Sequence, residues 1–295
     1  MDKWVVYILL AVCLSSCGQA SGNKQVKQGT DSLQNDTVVS HSVDSLAYAY
    51  LKSGRIMYEN GDKLGAIAKY NKAIEIDPLY MLAYYNRGLS KSKIGDNQGA
   101  IDDYSKAIQI NPQYIKAYFS RGLIKSKLGD NKEAIVDYSK AIQINPQYIK
   151  AYFNRGNCKS KLGDKEGAIS DYNKAIELDA QNINAYINLG VEKYELGDYE
   201  GEIATYRLAI KNCSPDADLY NNLGRALYDL KRFKEAAEAY GEGIKAFPND
   251  GKLYYGRGLA RNRLGDKNGA CEDWHRSSEL GCLQANALLL LCGEK

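Results

Sequence analysis

Apolar and small residues recur along this chain on two scales, one of a single helix turn and one of 34 residues. Between Leu82 and Pro112 the pattern predicts two helices. Leu82-Ala83-Tyr84 open the first, which closes at Ile94. Gly95-Asp96 then break the chain, because glycine accepts a left-handed C-terminal residue and aspartate favours the turn. In the second helix Ala100, Ile101, Tyr104, Ala107, Ile108 and Ile110 form one apolar face at helical spacing. Asn111-Pro112 stop it. The same pattern repeats seven times without an inserted or missing residue. Its register is plain at Tyr50, Tyr84, Tyr118, Tyr152, Tyr186, Tyr220 and Tyr254, and again at Tyr70, Tyr104, Tyr138, Tyr172, Tyr206, Tyr240 and Trp274. A glycine follows the first aromatic by four residues every time, from Gly54 to Gly258. The five prolines of the chain all sit at or beside the end of a second helix, where no helix needs the missing N–H.

A fixed period of this size predicts an all-α solenoid, whose helix pairs cannot bury their apolar faces alone and must stack. The fourteen periodic aromatics are expected to be core. The small residues have a packing reason: Gly88 lets the second helix approach the first, and Ala100 and Ala107 do the same from the other side. Residues 103–122 and 137–156 differ only at Ser120 versus Asn154, which suggests duplication of a repeat unit.

The motif Tyr-x-x-x-Gly…Ala-x-x-x-Tyr-x-x-Ala…Pro resembles the tetratricopeptide repeat. The resemblance covers repeats 47–80, 81–114, 115–148, 149–182, 183–216, 217–250 and 251–284. It implies paired antiparallel helices in a right-handed superhelix. Residues 285–295 are expected to form a capping helix and tail, the helix running over Leu283 to Cys292.

Differences between repeats carry the next layer. Arg87, Arg121, Arg155 and Arg257 occur in the four repeats that also carry Asp103, Asp137, Asp171 and Asp273; the other three repeats have neither. This predicts a structural salt bridge between the two helices of a repeat. If the last two helices run antiparallel from Gly281-Cys282, Cys271 and Cys292 meet at one end. A disulfide between them fits an oxidising compartment, and small buried thiols fit equally well. No metal-ligand spacing occurs, and no metal or cofactor is expected.

In the tetratricopeptide family the first helix of each repeat lines a concave groove. The resemblance places Tyr85, Asn86, Lys93, Lys116, Phe119, Lys127, Lys150, Phe153, Asn154, Lys161, Asn188 and Asn222 there. The asparagines resemble a ladder that grips peptide backbone in some members, interrupted here by Ser120 and Gly256. Asn86 with Lys116 resembles part of the carboxylate clamp of chaperone-binding members, but Ser120 and Arg55 stand where other clamp residues would be. Repeats two to four present five lysines and no acid at these positions. That favours a partner protein or an extended acidic peptide. The other reading is glycan or cell-wall binding through the groove rings and asparagines.

Composition narrows the classes. Charged residues are 25% and apolar residues 44%, ordinary for a folded chain. Two histidines, with no phosphate-binding loop, give no catalytic constellation, so a non-enzymatic scaffold is expected. A net charge of +3 gives no reason to expect nucleic acid.

The N-terminus reads differently. An apolar run from Trp4 to Leu14 is about half what a spanning helix needs. Leu14-Ser15-Ser16-Cys17 follow it and resemble the lipobox of bacterial lipoproteins. The resemblance implies a signal peptide over 1–16, diacylation of Cys17, and an anchor in the cell envelope. Gly18 after the cysteine implies the outer membrane, and the periplasmic side is the expected face. An ordinary secretory signal is the alternative. Residues 17–46 are polar and expected to be a tether of roughly 30 Å.

Overall fold

The computed structural model describes residues 45–292. The proposed signal peptide, Cys17, the tether up to residue 44 and the tail 293–295 lie outside the described residues. Among the described residues there are fifteen helices and no strand. They fall into two compact units, divided between Asp179 and Ala180.

The first unit contains α1 (Ser45–Glu59), α2 (Lys63–Ile76), α3 (Met81–Lys93), α4 (Asn97–Ile110), α5 (Ile115–Leu128), α6 (Asn131–Ile144), α7 (Ile149–Lys161) and α8 (Lys165–Leu178). The second contains α9 (Ile183–Glu195), α10 (Tyr199–Asn212), α11 (Ala217–Asp229), α12 (Phe233–Ala246), α13 (Gly251–Arg263), α14 (Lys267–Glu279) and α15 (Gln284–Leu289). Within each unit every helix packs on the next, which is the stacking of a solenoid.

Local chemistry sets the helix boundaries. After α3, Gly95 takes φ 88°, and Asp96 begins the next helix as its N-cap. The Asp96 carboxylate accepts from Gly99 N at 2.9 Å, satisfying one of the donors that a helix start leaves without an internal partner. A Cβ at residue 99 would lie 2.2 Å from Asp96 Oδ2, so this cap requires glycine there. The third repeat shows the converse: Glu133 stands at that place, and Asp130 makes no side-chain cap bond.

The sixth repeat departs at the preceding turn. Lys231, at φ 61°, stands where the other repeats carry glycine. A side chain there costs about 1–2 kcal/mol in the left-handed region, partly offset by the greater unfolded-state freedom of glycine. Lys231→Gly is therefore expected to stabilise the chain by about 0.5–1 kcal/mol, seen as a higher urea midpoint with unchanged slope. An unchanged or lower midpoint would show that the turn carries no strain.

The core is built from small residues and one ring per repeat. Ala100, Ala107 and Ala117 have no exposed surface, and Tyr104, at 1%, lies among them. The second-helix aromatics Tyr70, Tyr104, Tyr138, Tyr172, Tyr206, Tyr240 and Trp274 are all buried. The first-helix tyrosines correct the expectation of fourteen core aromatics. Tyr152 and Tyr186 are buried, but Tyr50, Tyr84, Tyr118, Tyr220 and Tyr254 are only partly so. In four repeats an arginine roofs the ring: Arg87 lies 5.4 Å from the Tyr84 centroid, and Arg121, Arg155 and Arg257 repeat the contact at 5.9, 5.5 and 5.6 Å.

The C-terminal helix is shorter than the sequence pattern suggests. α15 has six residues, and Leu290 and Leu291 beyond it are exposed. Ala285 is nevertheless fully buried, with Leu288, Leu289 and Cys292 packed against the Trp274 cluster. Cys271 and Cys292 are disulfide-bonded with Cα atoms 5.6 Å apart, which ties the chain beyond α15 to α14. Cys158 is a buried thiol whose Sγ donates to Ser126 Oγ at 3.3 Å.

Candidate binding groove

The first helices α3, α5 and α7 carry the candidate groove residues of the first unit. Two sets of side chains on these helices have opposite fates, and the arginines come first. Arg87 makes a two-pronged bond to Asp103, from Nε to Oδ2 at 2.9 Å and from Nη2 to Oδ1 at 2.6 Å. Arg121–Asp137, Arg155–Asp171 and Arg257–Asp273 have the same geometry. The aspartates are 1–3% exposed, so each charge depends on its partners.

Two features of this network escape a reading by pairs. Each aspartate accepts from a second cation one turn further along the first helix: Lys91, Lys125, Lys159 or Arg261, at 2.8–3.0 Å. The recurrence of a cation at that place in the four Arg/Asp repeats was the available signal. Second, Nη1 of Arg87, Arg121 and Arg155 donates to Asn71, Ser105 and Ser139 of the preceding repeat, at 2.6, 2.8 and 3.0 Å. The arginines thus join helices within a repeat and join neighbouring repeats. They have little left to offer a ligand.

The lysines are the other set. Lys93, Lys116, Lys127, Lys150 and Lys161 are all exposed. Among the described residues, Lys93, Lys116, Lys127 and Lys161 make no ion pair. Nothing acidic stands with the lysines at these positions of α3, α5 and α7, so this wall is rich in positive charge.

The asparagines behave less like a ladder. Asn86 Nδ2 donates to Leu82 O at 2.7 Å, and Asn154 Nδ2 donates to Lys150 O at 2.8 Å. Each amide spends one N–H on its own helix, which leaves its second N–H and its carbonyl oxygen for other partners. Asn188 and Asn222 are partly buried on α9 and α11. The gap at Gly256 has a packing cause: a Cβ there would lie 2.3 Å from Cζ of Tyr240, which is 5% exposed.

The groove rings are also partly committed. Tyr85 meets Tyr114 edge-on at 5.1 Å and Tyr104 at 5.7 Å. Phe119 meets Tyr148 at 5.1 Å and Tyr138 at 5.8 Å, and Phe153 meets Tyr172 at 6.0 Å. Rings held in the repeat packing have less face to give a sugar.

With this geometry in place, family models agree. One described as a TPR repeat matches residues 54–95, 92–129 and 124–163. Three described as a tetratricopeptide repeat match residues 149–182, 183–214 and 217–250. The chain belongs to the tetratricopeptide repeat family. No match was found among curated proteins. Among solved structures it is similar to a tetratricopeptide repeat protein from Parabacteroides merdae, at 20% identity over 84% of this chain and 99% of that one, with a TM-score of 0.57. It is also similar to PilF of Pseudomonas aeruginosa, at 17% identity over 72% and 97% of the two chains, with a TM-score of 0.56. A third is YrrB, described as a TPR protein with an unusual peptide-binding site, at 18% identity over 63% and 96%, with a TM-score of 0.51. At these identities the likeness concerns the fold.

Proposed function

We propose that this chain is a non-enzymatic scaffold that holds an extended, acidic segment of a partner protein along α3, α5 and α7. The observation that carries this reading is the wall of five exposed lysines, Lys93, Lys116, Lys127, Lys150 and Lys161, with no acid at the groove positions between them. Like charge of this kind draws an anionic segment in and sets its path. The carbonyl oxygens of Asn86 and Asn154 add acceptors for backbone N–H groups. The arginine network supports the reading from behind, because it holds the wall without supplying ligand contacts. The lipobox resemblance at Cys17 extends the proposal to a membrane-tethered scaffold of the bacterial envelope, at the periplasmic side of the outer membrane.

The test uses a poly-glutamate peptide as probe and the double variant Lys116→Glu with Lys150→Glu. Affinity is expected to fall with added salt and to drop by roughly tenfold or more in the variant. Equal binding by variant and wild type would sink the acidic-segment reading. In producing cells, a photo-crosslinker at Asn154 should capture one protein that a crosslinker at exposed Lys140 on α6 does not. Capture from Lys140 alone would move the function to the other face.

A further inference from the structure

The second unit holds a carboxyl group that the groove does not use. Six repeats place alanine at one core position of the second helix: Ala66, Ala100, Ala134, Ala168, Ala236 and Ala270, each with no exposed surface. The fifth repeat places Glu202 there, 1% exposed. Its Oε1 is buried and has no hydrogen-bond partner among the described residues. A polar atom in that state costs free energy, and more if the group is charged.

The neighbours define a cluster at the junction of α10 and α11. The charge of Arg225, on α11, favours ionised Glu202, and that of Asp229, on the same helix, opposes it. Arg225 also acts on Asp229, on Tyr206 of α10 and on Tyr240 of α12. On α9, which also packs against α10, Glu192 is buried and Lys193 partly so. Lys193 Nζ is engaged by Thr205 Oγ1 at 3.0 Å and by the Gly201 carbonyl oxygen at 3.2 Å. The charge of one guanidinium is therefore shared between two carboxyl groups, with no ion pair to either within 4.0 Å among the described residues. With both ionised, the site would hold an excess negative charge in a desolvated place.

We propose that Glu202 is a proton-operated element in the second unit: uncharged, it is tolerated in the α10–α11 seam, and on ionising it loosens that seam. Burial pushes the carboxyl up to about 7, against its ordinary 4.5, with Arg225 pulling the other way. Loss of hydration holds Asp229 above the usual range as well. The direction follows. The folded state keeps a proton that the unfolded state has released between about 4.5 and about 7. The contribution to stability is thus full below that window and is lost as pH rises through neutrality. Arg225 stands on the first helix of its repeat, so the proton on Glu202 also decides how strongly this guanidinium is drawn inward.

Hydrogen exchange on the full chain at about pH 5.5 and about pH 8 tests this. After correction for intrinsic rates, amide protection in α10 and α11 is expected to be roughly tenfold lower at the higher pH, with α5 and α6 unchanged as internal reference. Glu202→Gln keeps the shape and removes the titration, so the difference should vanish. Glu202→Ala restores the residue of the other six repeats and should also abolish it, which keeps the test decisive if the glutamine variant folds poorly. A pH difference that persists in either folded variant, or protection that rises with pH in the wild type, would overturn the proposal.

Discussion

Arg121→Leu is expected to cost about 2–4 kcal/mol of stability, and adding Asp137→Thr to it should recover at least 1 kcal/mol of that loss. Asp137 is 1% exposed and accepts from Arg121 at 2.6 and 3.0 Å. Removing the guanidinium leaves a buried carboxylate with Lys125, at 2.8 Å, as its remaining cation. The loss also frees Ser105 of the preceding repeat, which accepted from Arg121 Nη1. The double variant reproduces an arrangement that the fifth repeat already has. There Leu189 and Thr205 are buried at 4% and 5%, and Lys193 donates to Thr205 Oγ1 at 3.0 Å. Lys125 stands one turn after residue 121 as Lys193 stands one turn after Leu189, so it would keep an acceptor. Urea unfolding of wild type, the two single variants and the double variant closes the cycle. A loss in the double variant equal to the sum of the two single losses would mean that the two side chains are not coupled.

Completing the asparagine row should be free at one gap and costly at the other. Ser120→Asn is expected to change stability by no more than about 0.5 kcal/mol. Residues 103–122 and 137–156 differ only at Ser120 versus Asn154, and the polar contact given up is a long one, 3.5 Å between Ser120 Oγ and Tyr85 Oη; in the repeat before Asn154, Phe119 stands at the place of Tyr85. Gly256→Asn is expected to cost about 3 kcal/mol. The added Cβ would fall 2.3 Å from Tyr240 Cζ and 2.4 Å from Cε1. The ring has no room to retreat, because a Cβ at Gly224 would also meet Tyr240 Cζ, at 2.5 Å. Tyr240 is thus held between two glycines of successive repeats. Thermal unfolding of the two variants side by side is the measurement. Similar melting temperatures for both would show that the ring moves aside, and that the gap at residue 256 has no packing cause.

The sequence by itself determined the architecture. A 34-residue period carrying two helical faces, a glycine–aspartate break and a proline stop leaves only stacked helix pairs, because every one of those signals acts within a few residues of chain. The exposure of Lys93, Lys116, Lys127, Lys150 and Lys161 was legible too, since it follows from the helical face on which a residue stands. The co-occurrence of arginine and aspartate was visible too. That each aspartate takes a second cation, Lys91, Lys125, Lys159 or Arg261, was signalled only by the recurrence of a cation at that place, and the reach of Arg87, Arg121 and Arg155 into the preceding repeat was not visible. The tertiary structure alone decided that Asn86 and Asn154 turn back onto Leu82 and Lys150, that five first-helix tyrosines are only partly buried, and that Gly256 yields to Tyr240. It decided as well that Glu202 ends without a partner for one oxygen. The physical reason is common to all of these. Periodicity fixes the face of a helix on which a residue stands. What that side chain meets depends on how closely the next helix approaches, and that distance is set by packing across repeats.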